Sequence, residues 1–394
     1  MKIGWQAKTI GEVCEVVNGG TPKTGIKEFW NGVHLWITPA EMGKRASPYV
    51  SETERQITDK GLGNSSAKLL PQKSVILSSR APIGHLVINT EPMAFNQGCK
   101  GLIPSDNLQY KYLYYYLVGK VDLLNSLGTG ATFKELSGGK LKEVPIPLPP
   151  LPEQQRIVSI LDEAFVGIAT ATANAEKNLA NARELFESYL QSVFDNKGVD
   201  WVEKRLGEVS DLLDCLHKTP KYVDSGFPMV RVTDVKKGYL NLSRTKQVDK
   251  TTFDAFSKKY TPKIGDIVFS RVGSYGVSSL VNSNDPFCLG QNTVFIIPKI
   301  HPTFLYYFLN SSIAKLQYDE LVEGVTQPTI SMKSIRAVSL FVPPSMEEQT
   351  TLAQKIDELS TETKRLEAIY LQKLNALEEL KKSILNQAFS GQLQ

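Results

Sequence analysis

Four cysteines and four histidines are the whole supply of the common soft metal ligands in 394 residues. Cys14, Cys99, Cys215 and Cys288 contain no C-x-x-C pair, and His34, His85, His217 and His301 fall at no ligand spacing. Neither a metal site nor a disulfide framework is expected, and the thiols read as reduced. No apolar run approaches the roughly 18 residues of a membrane span. Met1-Lys2-Ile3-Gly4-Trp5-Gln6 lacks the apolar stretch of a secretory signal. The expected location is cytoplasmic, with no membrane partner.

Catalytic signatures are missing too. Gly128-x-Gly130-x-x-Phe133 lacks the third glycine of a dinucleotide loop. Gly139-Lys140 has Lys134 where a phosphate-binding loop needs glycine and Leu141 where it needs Ser or Thr. Pro149-Pro150 and Pro343-Pro344 follow Leu148 and Val342, where an adenine methyltransferase motif needs Asn or Asp. No catalytic residue and no cofactor is expected on this chain. An autonomous nuclease or methyltransferase is disfavoured accordingly.

What the chain does have is a duplication. Trp5-x-x-Lys8-x-Ile10-Gly11-Glu12-Val13 returns, 196 residues on, as Trp201-x-x-Lys204-x-Leu206-Gly207-Glu208-Val209. Gly130-x-Thr132-x-x-x-Leu136-Ser137 returns as Gly324-x-Thr326-x-x-x-Ile330-Ser331. Pro149-Pro150-x-x-Glu153-x-Gln155 returns as Pro343-Pro344-x-x-Glu347-x-Gln349, at an offset of 194. Two copies of one unit suit a partner with its own two-fold character, such as duplex DNA.

Charge is partitioned along the repeat. Residues 1–150 carry 17 Lys/Arg against 12 Asp/Glu, and residues 201–343 carry 18 against 13, net +5 each. Residues 151–200 and 344–394 come to −4 and −2. This suits two basic, nucleic-acid-facing domains on an acidic frame.

The frame reads as helix. Apolar residues recur at helical spacing from Ile157 to Val193 and from Leu352 to Ala388. Pro152 suits a first helical turn and Ser345-x-x-Glu348 is a capping box. The first helix carries the chain to the second domain and the second returns it, so the two are expected antiparallel, as a coiled-coil spacer. The boundaries read as domain 1–150, helix 151–196, domain 197–343 and helix 344–394. The fold class is α+β, with two similar mixed domains joined by two long helices.

Within the domains, Ser74–Ser78 and Asp266–Ser270 read as strands that end at Arg80 and Arg271. Gln97–Pro104 and Gln291–Pro298 form another strand pair. Tyr112–Leu117 and Phe304–Leu309 read as a short buried helix, stacking on unpaired bases being the other use of such aromatics. Arg80 and Arg271 suit guanine contact, phosphate contact or an internal salt bridge. Lys44, Arg45, Lys236 and Lys237 suit phosphate anchoring or a solvated loop. Gln97 and Gln291 suit adenine or an internal bond, and Thr132 and Thr326 suit a turn or a phosphate.

The order of domain, long helix, domain, long helix, with each helix opened by a double-proline element, resembles the specificity subunit of type I restriction–modification systems. The W-x-x-K-x-x-G-E-V starts and the Ala388-Phe389-Ser390-Gly391 ending carry the same resemblance, which spans the whole chain. It implies two target-recognition domains reading a bipartite double-stranded DNA target, and helices serving as ruler and platform. It also implies two modification subunits, which hold S-adenosylmethionine and methylate adenine, and restriction subunits, which use ATP and Mg. Glu153, Gln155, Glu347 and Gln349 are then candidates for subunit docking. The competing reading is a coiled-coil scaffold or stand-alone DNA-binding regulator. Residues 34–68 are rich in Gly, Ser and Glu, whereas 217–262 carry eight lysines, among them Lys218, Lys246 and Lys258. The two domains are therefore expected to read different half-sites.

Overall fold

A computed structural model describes residues 4–130, 134–324 and 327–393. The chain packs as two compact units: residues 1–175 with 372–394, and residues 176–371. Helices Leu151–Asp195 and Met346–Ser390, 45 residues each and so about 67 Å long at 1.5 Å per residue, run through both.

Unit 1 is built on a five-stranded sheet ordered Cys14–Asn18, Cys99–Pro104, Val75–Ser79, Ile83–Asn89, Tyr49–Val50. All five residues of Val75–Ser79 are buried, as its uninterrupted apolar start suggests. A second sheet orders Arg55–Ile57, Trp30–Ile37 and Met93–Phe95, the last pair parallel. Gln6–Thr9 pairs with Pro145–Leu148 and so ties the start of the repeat to its end.

The tyrosine-rich run is a helix, Tyr110–Val118, with Tyr112, Leu113, Tyr116 and Leu117 buried. Each buried phenol finds a partner, which lets the rings join the core. The Tyr112 hydroxyl donates to Pro147 O at 2.8 Å and that of Tyr115 to Asp162 at 2.6 Å. Ile157, Leu161, Leu385 and Ala388 close the same core with residues of both long helices.

Unit 2 repeats the plan. Ser210–Asp214, Thr293–Pro298, Ile267–Ser270 and Ser278–Leu280 form the main sheet. Tyr222–Val223, Lys246–Val248, Phe227–Val230 and Cys288–Leu289 form the second. Arg183 Nε meets Glu367 at 2.8 Å, and further along Leu190 and Ile356 share one core, so the helical stretches in this unit run antiparallel.

One likeness is hidden in the sequence, and one expectation changes. Residues 34–68 and 217–262 look unrelated as sequence but share one architecture. Trp36 faces Arg55 as Met229 faces Lys246, and Thr58 and Asp249, three residues on, each cap a following helix. Second, helix Leu151–Asp195 is long and apolar enough for a membrane span by length and composition, contrary to the sequence reading. That stretch contains Asp162, held at 2.7 Å by Lys111, and buries Ile157, Val158 and Leu161 in the unit 1 core.

Candidate nucleic-acid interface

Register shows where the strand-end arginines stand. Val75 lies opposite Leu102 in unit 1 and Ile267 opposite Ile296 in unit 2. Counting forward, Ser79 N–H donates to Gly98 O at 2.8 Å, and Arg271 N–H to Asn292 O at 2.9 Å. Leu136 N–H then reaches Ser79 O, and Ile330 N–H reaches Arg271 O. The partner of Arg271 is therefore Ser79, and that of Arg80 is Val272. Successive residues of an extended chain point to opposite sides, so the two arginines leave the strand end differently.

Arg271 turns inward. Its Nη1 lies 3.0 and 2.9 Å from the two Asp214 oxygens, its Nε donates to Ile330 O at 3.0 Å, and the side chain is 13% exposed. Of its three open uses, the internal salt bridge is the one this geometry serves. Arg80 is 38% exposed, with Glu135 at 3.9 Å; Lys100, nearly buried, stands 3.8 Å from the same carboxylate. Gly98 lies beneath the Arg80 guanidinium, where an added Cβ would come 3.0 Å from Nε. Next to it Gln97, exposed, accepts the Thr21 hydroxyl, so Arg80 and Gln97 gather at one end of the sheet. Gln291 is exposed beside Asn292.

Lys44-Arg45 and Lys236-Lys237 do sit at matching places. Each pair follows the strand that runs parallel to its neighbour, Ile37 with Phe95 and Val230 with Leu289, and a short helical turn. Arg45 is nonetheless closed off, since Nη2 reaches Glu41 at 2.7 Å and Glu52 O at 2.6 Å. It braces the loop from which exposed Lys44 projects. Lys236 is exposed, and Lys237 stands 3.6 Å from Glu187. Thr132 and Thr326 lie outside the described residues. Ser137 and Ser331, which follow them, each cap a short helix by accepting Lys140 N–H and Ser334 N–H.

The docking candidates divide. Gln154, not Gln155, is the counterpart of Gln349. Each is buried, donates to the carbonyl of the first proline of its element, and accepts the backbone N–H before the aromatic helix. The second element has one more residue between that proline and the glutamine. Gln349 is thus a staple inside unit 2. Gln155 and Glu347 are exposed, and Glu153 holds Arg156 at 2.8 Å.

Sequence reading missed Arg55. Its guanidinium lies 3.6 Å from the centre of the Trp30 ring and 5.2 Å from that of Trp36. Lys246 holds the same register position in unit 2. Nearby, Lys250 stands 5.6 Å from the Phe227 and Phe253 rings, themselves stacked at 4.3 Å. In unit 1 the cation and both rings lie on the second sheet, and in unit 2 the cation and one ring lie on helix Lys250–Ser257 beside it; each arrangement holds a positive charge at a fixed place. The only hint in the sequence was two tryptophans near one strand; the basic partner is 25 residues from Trp30 and on another strand.

Asp214, Cys215 and His217 bring one ligand atom each within 4.8 Å. Arg271 already takes both Asp214 oxygens, His217 takes one at 3.0 Å, and burial pushes the Cys215 thiol up. The donor set is spent on the salt bridge and does not fit a metal ion.

A family model described as the type I restriction modification DNA specificity domain matches the chain twice, over residues 2–179 and 198–379. The type I restriction enzyme MjaIX specificity subunit of Methanocaldococcus jannaschii is 30% identical over 363 residues, covering 86% of this chain and 83% of that one. The EcoR124I/EcoR124II specificity subunit of Escherichia coli is 32% identical over 194 residues, 48% of this chain and 47% of its own. The fold resembles a chain from a solved type I R-M system, with a TM-score of 0.80 at 18% identity, covering 100% of this chain and 99% of that one. It also resembles the HsdS subunit of Thermoanaerobacter tengcongensis, with a TM-score of 0.61 at 18% identity over 100% and 98% of the two chains.

Proposed function

The chain belongs to the type I restriction modification DNA specificity family, as a non-catalytic specificity subunit, and on that premise we propose how its two units divide the work. Each unit reads one half of a bipartite, asymmetric double-stranded target. The observation that carries this is the family match itself, once over each repeat, joined to unlike exposed side chains on one shared strand register. A shared strand register aims the loops alike, while Arg80 and Arg55 in one unit and Lys236 and Lys246 in the other offer different groups to base edges and phosphates.

The long helices act as spacer and platform for two modification subunits. S-adenosylmethionine and adenine methylation belong to those subunits, and ATP with Mg to restriction subunits that join them in the cytoplasm. Purified chain is expected to transfer no methyl group from S-adenosylmethionine to DNA. Co-expressed with the methyltransferase subunit, it is expected to direct methylation to a motif of two unlike halves around a fixed spacer, read by long-read mapping of methylated adenines. Methylation by the chain alone, or a contiguous motif, would refute this reading.

A further inference from the structure

Unit 2 holds an open cleft of about 750 Å³ beside helix Pro302–Leu309. Its floor is aromatic, from Phe186, Tyr306 and Tyr307, and its rim carries five carboxylates, Asp357 and Glu358 among them, against two lysines, Lys237 and Lys364. The corresponding place in unit 1 shows what such a setting binds. There Asp162 accepts the Tyr115 hydroxyl at 2.6 Å and holds Lys111 Nζ at 2.7 Å. Its carboxylate raises the lysine above the usual ammonium range. Phe165 packs edge-on against Tyr115, with ring centres 5.2 Å apart.

The buried glutamines and the tyrosine–aspartate bonds fix the equivalence of the two places. In unit 2 the Tyr307 hydroxyl donates to Asp357 as Tyr115 does to Asp162. Thr303 stands where Lys111 would be, four residues before the tyrosine, and Ser360 where Phe165 would be, three after the aspartate. An ammonium and a phenyl ring have given way to two small side chains, and the cleft is the space they leave. Among the described residues, no lysine or arginine nitrogen lies within 4.0 Å of the Asp357 carboxylate. Lys237 is engaged by Glu187 at 3.6 Å and Arg183 by Glu367 at 2.8 Å.

We propose that this cleft receives a lysine or arginine side chain of the methyltransferase subunit, whose cation takes in unit 2 the place that Lys111 fills in unit 1. The acidic rim supplies charge complementarity and repels DNA phosphate. The aromatic floor suits an aliphatic stem or a guanidinium face. The proposal rests on the reading of the chain as an assembly subunit.

Two variants of the full chain test it. Thr303→Lys restores the internal cation, and Asp357→Asn keeps an acceptor for Tyr307 while removing the charge. With thermal melting showing both folded, each is expected to weaken binding to the purified methyltransferase subunit at least about tenfold, as loss of a desolvated charge pair does. Unchanged affinity in both, or loss with Thr303→Lys alone, which would mark bulk rather than charge, overturns the cleft while the complex stands. A wild-type chain that binds no methyltransferase subunit sinks the assembly reading and this proposal with it. Variants that alter sedimentation of the chain alone would assign the cleft to a second copy, which also overturns it.

Discussion

The two units share hydrogen-bond registers and differ in what hangs from them. Gln154 and Gln349 make the same staple, and Tyr115–Asp162 and Tyr307–Asp357 make the same bond. Around these fixed points Lys111 becomes Thr303, Gln109 becomes His301 and Arg80 becomes Val272. A backbone frame tolerates such exchange because its ladders and buried staples do not pass through the exchanged side chains. The places where the units depart from each other are therefore the places to look for separate tasks.

The largest expected effect separates the two arginines. Arg271→Ala strips Asp214 of its guanidinium and Ile330 O of a donor in a mostly buried setting. Breaking a buried pair by removing one partner costs on the order of 3 kcal/mol, so unit 2 should lose stability and assembly. Arg80→Ala removes an exposed side chain with one distant carboxylate, and should change stability by no more than about 0.5 kcal/mol. Its effect should appear as relaxed recognition of one half-site, worth about 1–3 kcal/mol of discrimination if Arg80 grips guanine. Denaturant unfolding of each variant, beside mapping of methylated adenines, checks both halves. Equal stability losses would show that the two arginines do the same work after all.

This split marks what the sequence makes legible. Helical spacing and the doubled motifs locate both long helices and both aromatic helices, because local periodicity sets those elements. The pairing of Arg80 with Arg271 failed for a non-local reason. The strands stand 192 residues apart while the strands facing them stand 194 apart, which only a ladder register reveals. Matching Gln155 with Gln349 failed because the second element has one more residue between its first proline and the glutamine, so Gln154 is the counterpart. Arg45 looked like a phosphate anchor because Glu41 and Glu52 turn back to it only once the loop is folded.

A middle-sized effect tests whether equal register means equal use. Arg55→Ala in unit 1 and Lys246→Ala in unit 2 should each weaken target binding by the assembled complex. If each side chain meets one phosphate, the slope of log K against log salt should become shallower by roughly 0.9 per variant. Arg55→Lys should keep the slope but lose part of the affinity, because an ammonium does not lie flat on Trp30 as the guanidinium does. A slope that changes for only one of the two alanine variants would break the comparison at the second sheet.

The smallest effect is a pH dependence confined to one unit. Gln109 caps helix Tyr110–Val118 by accepting Tyr112 N–H at 2.7 Å, and it does not titrate. His301 caps helix Pro302–Leu309 through Nδ1, which faces Phe304 N–H at 3.4 Å and accepts only while the ring is unprotonated there. Burial holds the His301 pKa below its usual value, against the opposing pull of Asp357. Below about pH 6.5 the unfolded chain protonates this histidine more readily than the folded one, so stability falls as pH drops from there towards the folded value and is fully present above it. Protonation also costs the cap, typically about 1 kcal/mol at most for a bond this long. Hydrogen exchange at pH 7.5 and pH 5 should therefore show helix 302–309 losing protection while helix 110–118 keeps it, after correction for intrinsic rates. His301→Gln, which copies unit 1, should remove the difference. If both helices weaken in parallel, or if the glutamine variant retains the acid sensitivity, the cap is not its source.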